Sequence, residues 1–408
     1  MAAVATNPIE EKPQTKWLIL ALAGLSNAIA MAVPSMAMSV LFAEISKELN
    51  LSLTQVGVVW GIGSVTGIIS ALLSGSIIDR IGPRKTIIVS VVLAGIAGAM
   101  RGLSNSFGFL IFSTLLFGLV GPMVSMSGIK ASRVWFPPHQ LGSSGGLLSM
   151  GMALGFFLSS RFSATLVSPA LGGWRNTLML YGLLAVLLVI PWLFSPKEPE
   201  LVRIEGGEAL PAETSPKAPL FRSLKVVASN PNNWFIAFVL LGLGGSIQAA
   251  LGYIPLYLRN AGWEAGQADT VLASFHLISM TFTLPLAFLS DRVKSKKRMV
   301  MVMMSMIITG LAALAFVEGP LVWAAVLFAG CVRDAFMSTY LAMVINARGI
   351  TPQLAATATG FAFLFSHVGN IIMPAIGNNI AEAYPSGAFL FWAGCGLLAL
   401  IGFLFFKE

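Results

Sequence analysis

Long apolar runs cut by short polar breaks organise this chain. Twelve runs stand out, over residues 17–42, 53–78, 84–103, 107–133, 141–166, 174–194, 232–259, 266–290, 298–317, 321–346, 353–380 and 387–406. A helix rises 1.5 Å per residue, so roughly 20 apolar residues cover the ~30 Å hydrocarbon core of a bilayer. Each run reaches that length. Lipid offers an open backbone no hydrogen-bond partner and a helix supplies its own, so the pattern predicts an all-α polytopic membrane protein. One break differs from the rest. Residues 195–231 carry Pro196, Pro199, Pro211, Pro216 and Pro219 among charges of both signs, which predicts a polar linker between six-helix bundles at 17–194 and 232–406. Residues 1–16 read as a polar tail, because Glu10 and Glu11 do not suit a cleavable signal.

Composition supports lipid as the solvent. Hydrophobic residues make up 56% and charged residues 10%, against roughly a quarter charged in soluble domains. The 41 glycines suit close helix packing, and the pairs Gly57/Gly61, Gly63/Gly67, Gly142/Gly146 and Gly151/Gly155 carry the four-residue spacing of such faces. The net charge of +8 is spread over the chain, not gathered on one soluble domain, so no nucleic-acid partner is expected. It follows topology instead. With the N-terminus cytoplasmic, all of the 25 Lys and Arg fall on the inner side except Lys47, Arg101, Arg161, Arg175, Arg259 and Arg333. That places both termini and the linker inside a plasma membrane, or the inner membrane of a bacterium. Cys331 and Cys395 lie isolated in apolar runs, with no disulfide framework and no metal-ligand spacing. There is no zinc motif, no phosphate-cradling loop and no Ser/His/Asp set at one depth, so neither enzyme chemistry nor a cofactor is expected.

Two basic turns carry more information. Gly75-Ser-Ile-Ile-Asp79-Arg80-Ile-Gly82-Pro83-Arg84-Lys85 separates runs two and three, and Leu289-Ser290-Asp291-Arg292-Val293-Lys294-Ser295-Lys296-Lys297-Arg298 separates runs eight and nine. The first resembles the loop signature G-x-x-x-D-R-x-G-x-[RK]-[RK] of the major facilitator superfamily of secondary transporters. It matches at Gly75, Asp79, Arg80, Gly82, Arg84 and Lys85. The second is a weaker copy, with Ala287 at the small position and no glycine after Asp291-Arg292. The resemblance implies twelve transmembrane helices in two pseudo-symmetric six-helix bundles. It also implies a gating latch in which Asp79 docks near Thr351, and Asp291 near Gln140 and Leu141, with Arg80, Arg84 and Arg292 alongside. A carboxylate beside an exposed helix N-terminus gains ~0.3–1 kcal/mol, and Thr351-Pro352 has the form of such a start. The plainer reading is that Asp79 balances Arg80, Arg84 and Lys85 in a solvated turn. The halves echo each other elsewhere too: Asn27 precedes Pro34 by seven residues, as Gln248 precedes Pro255.

Ionisable groups inside the runs are the sharper signal, because they are costly in lipid. Asp334 is the one acidic residue read as mid-span, and it follows Arg333 at roughly 18 Å into its run. Neighbours on a helix point about 100° apart, so the two are not expected to pair face to face. His276 and His367 lie at roughly 15 and 21 Å in theirs, where a lone histidine is more often a packing residue than a ligand. Arg101 and Arg161 sit near the outer ends of runs three and five, where arginines snorkel outward; lining a vestibule, they would favour anions.

These residues predict a secondary transporter of a small anion, a carboxylate or inorganic anion, working by alternating access as proton symport or anion exchange. Arg333 is the leading countercharge, with Asn27, Thr114, Gln248, Tyr253, His276 and His367 as further candidate contacts, beside Ser113 and Ser338. Asp334, or one of the two histidines, is the candidate proton carrier. Gly98-Ala-Met-Arg101-Gly102, Trp135-Phe136-Pro137 and Gly172-Gly-Trp174-Arg175 are similar to stretches of cyanate/nitrate-type and organic-anion porters. Run four has Ser113 and Thr114 before Gly118 where proton-coupled members carry an arginine, and Gly142 to Gly155 lacks the proline of drug antiporters. Two alternatives remain: a proton-coupled exporter of hydrophobic or cationic drugs with Asp334 as the binding charge, and a polytopic sensor without transport. The expected partners are the solute, lipids and protons, around a monomer.

Overall fold

A computed structural model describes residues 13–137, 140–196, 220–293, 295–345, 347 and 350–407. Its regular elements among these residues are helices. α1 runs through Pro13–Ser26, Asn27–Ala32 and Val33–Leu49 without interruption, the middle segment wound as a π-helix. α2 (Leu53–Ile81), α3 (Pro83–Gly102) and α4 (Phe107–Trp135) follow. α5 joins Leu141–Phe162 to a π turn, Ser163–Val167, and Ser168–Leu171. α6 comprises Trp174–Leu187 and Val189–Phe194. A short helix, α7 (Leu220–Ser229), precedes α8, which is Pro231–Val239, π-helical Leu240–Gly244 and Gly245–Asn260. α9 (Ala265–Arg292), α10 (Lys296–Ala313), α11 (Leu321–Gly330 and Arg333–Ile345), α12 (Pro352–Ala383) and α13 (Gly387–Leu404) complete the set.

Eleven of these helices are long and apolar enough to cross a membrane. α10, whose first turn carries Lys296, Lys297 and Arg298, is the twelfth. The apolar runs therefore locate the spans, and the helices overrun them at several ends. An apolar run marks the part of a helix meant for lipid; the helix itself stops only where a residue breaks it. α1 continues through Ser46-Lys47-Glu48 until Asn50 turns left-handed at φ 52°. α2 continues through Asp79-Arg80 until Gly82, at φ 84°, hands the chain to Pro83 at the start of α3. That φ explains the glycine of the basic turn: a side chain there would be strained. Of the expected linker, 197–219 lies outside the described residues, and α7 occupies part of the remainder.

α1–α6 and α8–α13 form the two bundles. Both described ends lie at one end of the molecule, here called the termini end. There the Asn232 side chain exchanges hydrogen bonds with the Lys407 backbone at 2.8 and 2.9 Å, and Lys16 Nζ donates to Gln140 Oε1 at 2.9 Å.

The bundles meet towards the opposite, far end. α2 and α12 touch backbone to backbone: a Cβ added at Gly57 would lie 2.3 Å from Pro374 O, and one at Gly61 2.3 Å from Asn370 O. Trp60 Nε1 donates to Gln248 O at 2.6 Å and Ser39 Oγ to Leu251 O at 2.5 Å, tying α2 and α1 to α8. At the rim, Asn378 Nδ2 donates to Leu53 O at 3.1 Å. Glu382 Oε1 accepts from the Thr54 backbone N–H at 3.0 Å and from its hydroxyl at 2.8 Å. A carboxylate of one half thus sits on the N-terminus of a helix in the other, where exposed N–H groups favour it. Nearer the termini end α2 and α12 part. A Cβ at Gly75 or Gly360 would meet no atom within 4 Å, and Leu72, Phe363 and Leu364 are exposed. The molecule is closed at the far end and open at the termini end.

Candidate functional site

α11 is interrupted at Cys331 and Val332, near its middle. In a continuous α-helix the Asp334 amide would donate to the carbonyl of Gly330, four residues back. It donates instead to Ser279 Oγ of α9, at 3.2 Å. Gly330 makes room for this approach, since a Cβ there would lie 2.9 Å from the Phe275 ring. The interruption puts Arg333 and Asp334 in the first turn of a new helical segment, roughly 18–20 Å along α11 from Leu321.

The Arg333 guanidinium hydrogen-bonds directly to the Asp334 carboxylate through Nη1 and Oδ1. This corrects the expectation that adjacent residues cannot pair. The 100° rule governs where Cβ atoms point, whereas an arginine arm is long enough to curl around a segment start. The two side chains are 28% and 26% exposed, so the pair is not sealed. His276 lies beside it, buried, within electrostatic reach of both charges and with Nε2 unpartnered. Its ring packs 5.3 Å from Phe156 of α5 and 5.6 Å from Phe275. The site therefore gathers His276 and Ser279 from α9, Arg333 and Asp334 from α11, and Phe156 from the other half. Sequence reasoning missed Ser279 and Phe156. Ser279 was findable, three residues after His276 and hence on the same helix face.

The remaining candidates spread out. His367 of α12 lies in the seam between the halves, with Cε1 3.1 Å from where a Gly67 Cβ would be and Nδ1 unpartnered. Thr114 faces Gly63 of α2 within the first half, its hydroxyl buried without a partner. Asn27 opens the π segment of α1, buried, with Oδ1 unpartnered. Gln248 contributes its backbone carbonyl to Trp60. Tyr253 is packed inside the second half among Tyr257, Phe389 and Trp392, and its hydroxyl donates to Pro385 O at 3.2 Å. Of the residues singled out, the structure brings His276, Arg333 and Asp334 together.

At the open end, Asp79 pairs with Lys130 of α4 in its own half. Arg84 donates through Nε to Ser195 Oγ at 2.9 Å and through Nη2 to Trp192 O and Leu193 O at 3.0 Å, a cation on the last carbonyls of α6. Arg80 and Arg292 are exposed, and the side chain of Asp291 lies outside the described residues.

Two further charges are buried. Asp269, five residues into α9, is fully buried, with both carboxylate oxygens 2.6 Å from Arg259 Nη2, a buried ion pair near the far end of its span rather than at mid-span. It sits so close to the start of its apolar run that it reads as a flanking residue. Arg101 does not snorkel: it is 2% exposed, with its guanidinium 4.1 Å from the centroid of the Phe117 ring.

Comparison with known proteins agrees with this architecture. The chain is 28% identical over 260 residues to the hexuronate transporter of Bacillus subtilis, an alignment covering 62% of this chain and 59% of that protein. It therefore spans about three fifths of that relative's length. It is 25% identical over 292 residues to the probable nitrate/nitrite transporter NarK2 of Mycobacterium tuberculosis, covering 69% of each. Among solved structures, the nucleoside transporter NupG superposes with a TM-score of 0.74 at 16% identity, over 96% of this chain and 98% of that one. The family model for the Major Facilitator Superfamily matches residues 20–374. A twelve-span chain in two bundles, matched over most of its length by that model, is a multi-pass membrane protein that belongs to the Major Facilitator Superfamily.

Proposed function

We propose that this protein is a secondary active transporter that moves a small anion by alternating access. The observation that carries the reading is the Arg333–Asp334 pair on an interrupted helix, partly exposed at mid-span beside His276, which packs on Phe156 of the other half. Charge at that depth is costly, and a solute that needs it is the usual reason for its presence. A guanidinium presents a planar fork of N–H donors that suits a carboxylate or nitrate in two-point contact. Relatives named for hexuronate and for nitrate or nitrite support the same chemistry.

The pair also supplies coupling. An incoming anion and the ionised Asp334 compete for one guanidinium, so a proton on Asp334 frees Arg333 for the solute. His276, beside both, is the second candidate carrier. The closed far end and open termini end are one of the two forms the cycle needs, and the bias of basic residues supports an inside position for the termini. The described form is then inward-open, and Asp79, held by Lys130, is the released state of the inner latch.

Reconstituted vesicles test this directly. Saturable uptake of labelled hexuronate, a small carboxylate or nitrate is expected, faster under an imposed proton gradient and competed by other anions. Transport of cationic dyes alone would replace the reading with drug export. Asp79→Asn should slow turnover about three- to tenfold, the worth of a partly buried carboxylate on a helix N-terminus, with KM within about twofold, because the latch acts in the other form. Initial-rate kinetics separate the two; an unchanged turnover reduces Asp79 to a surface charge.

A further inference from the structure

Arg101 stands one residue before the far end of α3, where its arm could reach the interface. It turns the other way, onto the face of Phe117, a residue ten positions into α4. A ring face attracts the cation but does not satisfy N–H donors lying in the guanidinium plane. Nε and Nη2 are both fully buried and find no acceptor in the protein, and Arg101 makes no ion pair among the described residues. Local acceptors are engaged elsewhere. Arg175 Nη1 takes Ser104 O at 2.6 Å and Gly102 O at 3.2 Å, while Glu48 accepts from Arg175 and Trp174. A buried charge left in this condition is strongly unfavourable, and the remedy is a counter-ion. Gly98, one turn earlier, has no side chain, and an atom at its Cβ position would stand 3.6 Å from Nη2 and 3.8 Å from Phe117.

We propose that Arg101 holds a small monovalent anion against Phe117 and Gly98, in the half opposite Arg333. The ligand has the chemistry of chloride, nitrate or a single carboxylate group, and its source is either a resident inorganic ion or the carried solute. This does not rest on the transport reading, since a resident ion would be held whatever the protein moves.

Thermal unfolding of the purified protein tests it. Chloride, nitrate and formate, titrated as sodium salts into a low-salt zwitterionic buffer, should each raise the melting temperature saturably in the wild type and in Arg333→Gln. In the Arg333→Gln background, where that second anion contact is gone, Arg101→Gln should lose the rise. Gly98→Ala, which fills the space beside Nη2, should raise the half-saturating concentration about tenfold. No rise in the wild type, no rise in Arg333→Gln, or an equal rise in the Arg101→Gln/Arg333→Gln double variant each overturns the site. If Arg101→Gln fails to fold, an unchanged titration of Gly98→Ala overturns it alone. A response that the transported carboxylate does not evoke identifies a resident ion. One that extends to the transported carboxylate, and still depends on Arg101, identifies the solute.

Discussion

Arg333→Gln is expected to abolish anion uptake while leaving the protein folded and inserted. The substitution keeps a polar side chain of similar length and removes the charge that balances Asp334 and, on the proposed reading, the incoming solute. Truncating one member of a buried, hydrogen-bonded charge pair costs about 2–5 kcal/mol, which corresponds to a loss of roughly 30- to 5,000-fold in kcat/KM. The stability effect should be far smaller, because Asp334 is partly exposed and can take up a proton. Uptake by reconstituted vesicles measures the first effect, and size-exclusion profiles with melting curves measure the second. The double variant Arg333→Gln/Asp334→Asn sharpens the result. It removes the unpaired carboxylate, so it should regain stability without regaining uptake. Recovery of uptake in the double variant, or full uptake in the single one, would take Arg333 out of the solute site.

Gly61→Leu is expected to hold the protein open at the far end and to cut uptake to below about a tenth. In the described form a Cβ at Gly61 would stand 2.3 Å from Asn370 O and 3.1 Å from Ile371 Cα, and both are backbone atoms that cannot rotate aside. Overpacking of this kind costs about 1–3 kcal/mol, and opening the α2–α12 seam is the motion that relieves it. A shift of that size changes the ratio of the two forms roughly five- to 150-fold. Accessibility reads it out. With Cys331 and Cys395 replaced, Ser39→Cys in the α1–α8 seam should react slowly with an impermeant thiol reagent in the otherwise wild-type protein, because Ser39 is 1% exposed. It should react many times faster in the Gly61→Leu background. Equal rates in both, with uptake intact, would mean the glycine serves packing alone.

Much of this molecule was legible in its residues, for definite reasons. Apolar runs near 20 residues long in lipid have one solution, so the twelve spans and their grouping into halves follow from the pattern. Arg333 and Asp334 were conspicuous because charge inside such a run is rare. What stayed hidden depends on three-dimensional pairing. No proline marks the interruption at Cys331 and Val332; it exists because Ser279 takes the Asp334 amide, and a serine in a membrane helix is too common to signal that. Glu382 and Thr54 meet across 328 positions of sequence. Tyr253 looked like a cavity-lining hydroxyl, but Pro385 O accepts from it and three aromatic rings enclose it. Arg101 had the position of a snorkelling residue, and only the direction of its arm shows otherwise. The π-helical turns in α1, α5 and α8 likewise had no sequence signal that distinguished them from ordinary helix.

The self-cancelling pair on α11 has an electrical consequence. With nothing bound, Arg333 and Asp334 sum to zero, so on the proposed cycle the empty carrier would swing without displacing net charge at mid-membrane. A bound anion adds one negative charge, and each elementary charge moved through 100 mV is worth roughly 2.3 kcal/mol. Voltage then bears on the loaded stroke and spares the return, unless a proton rides with the anion and makes both strokes electrically silent.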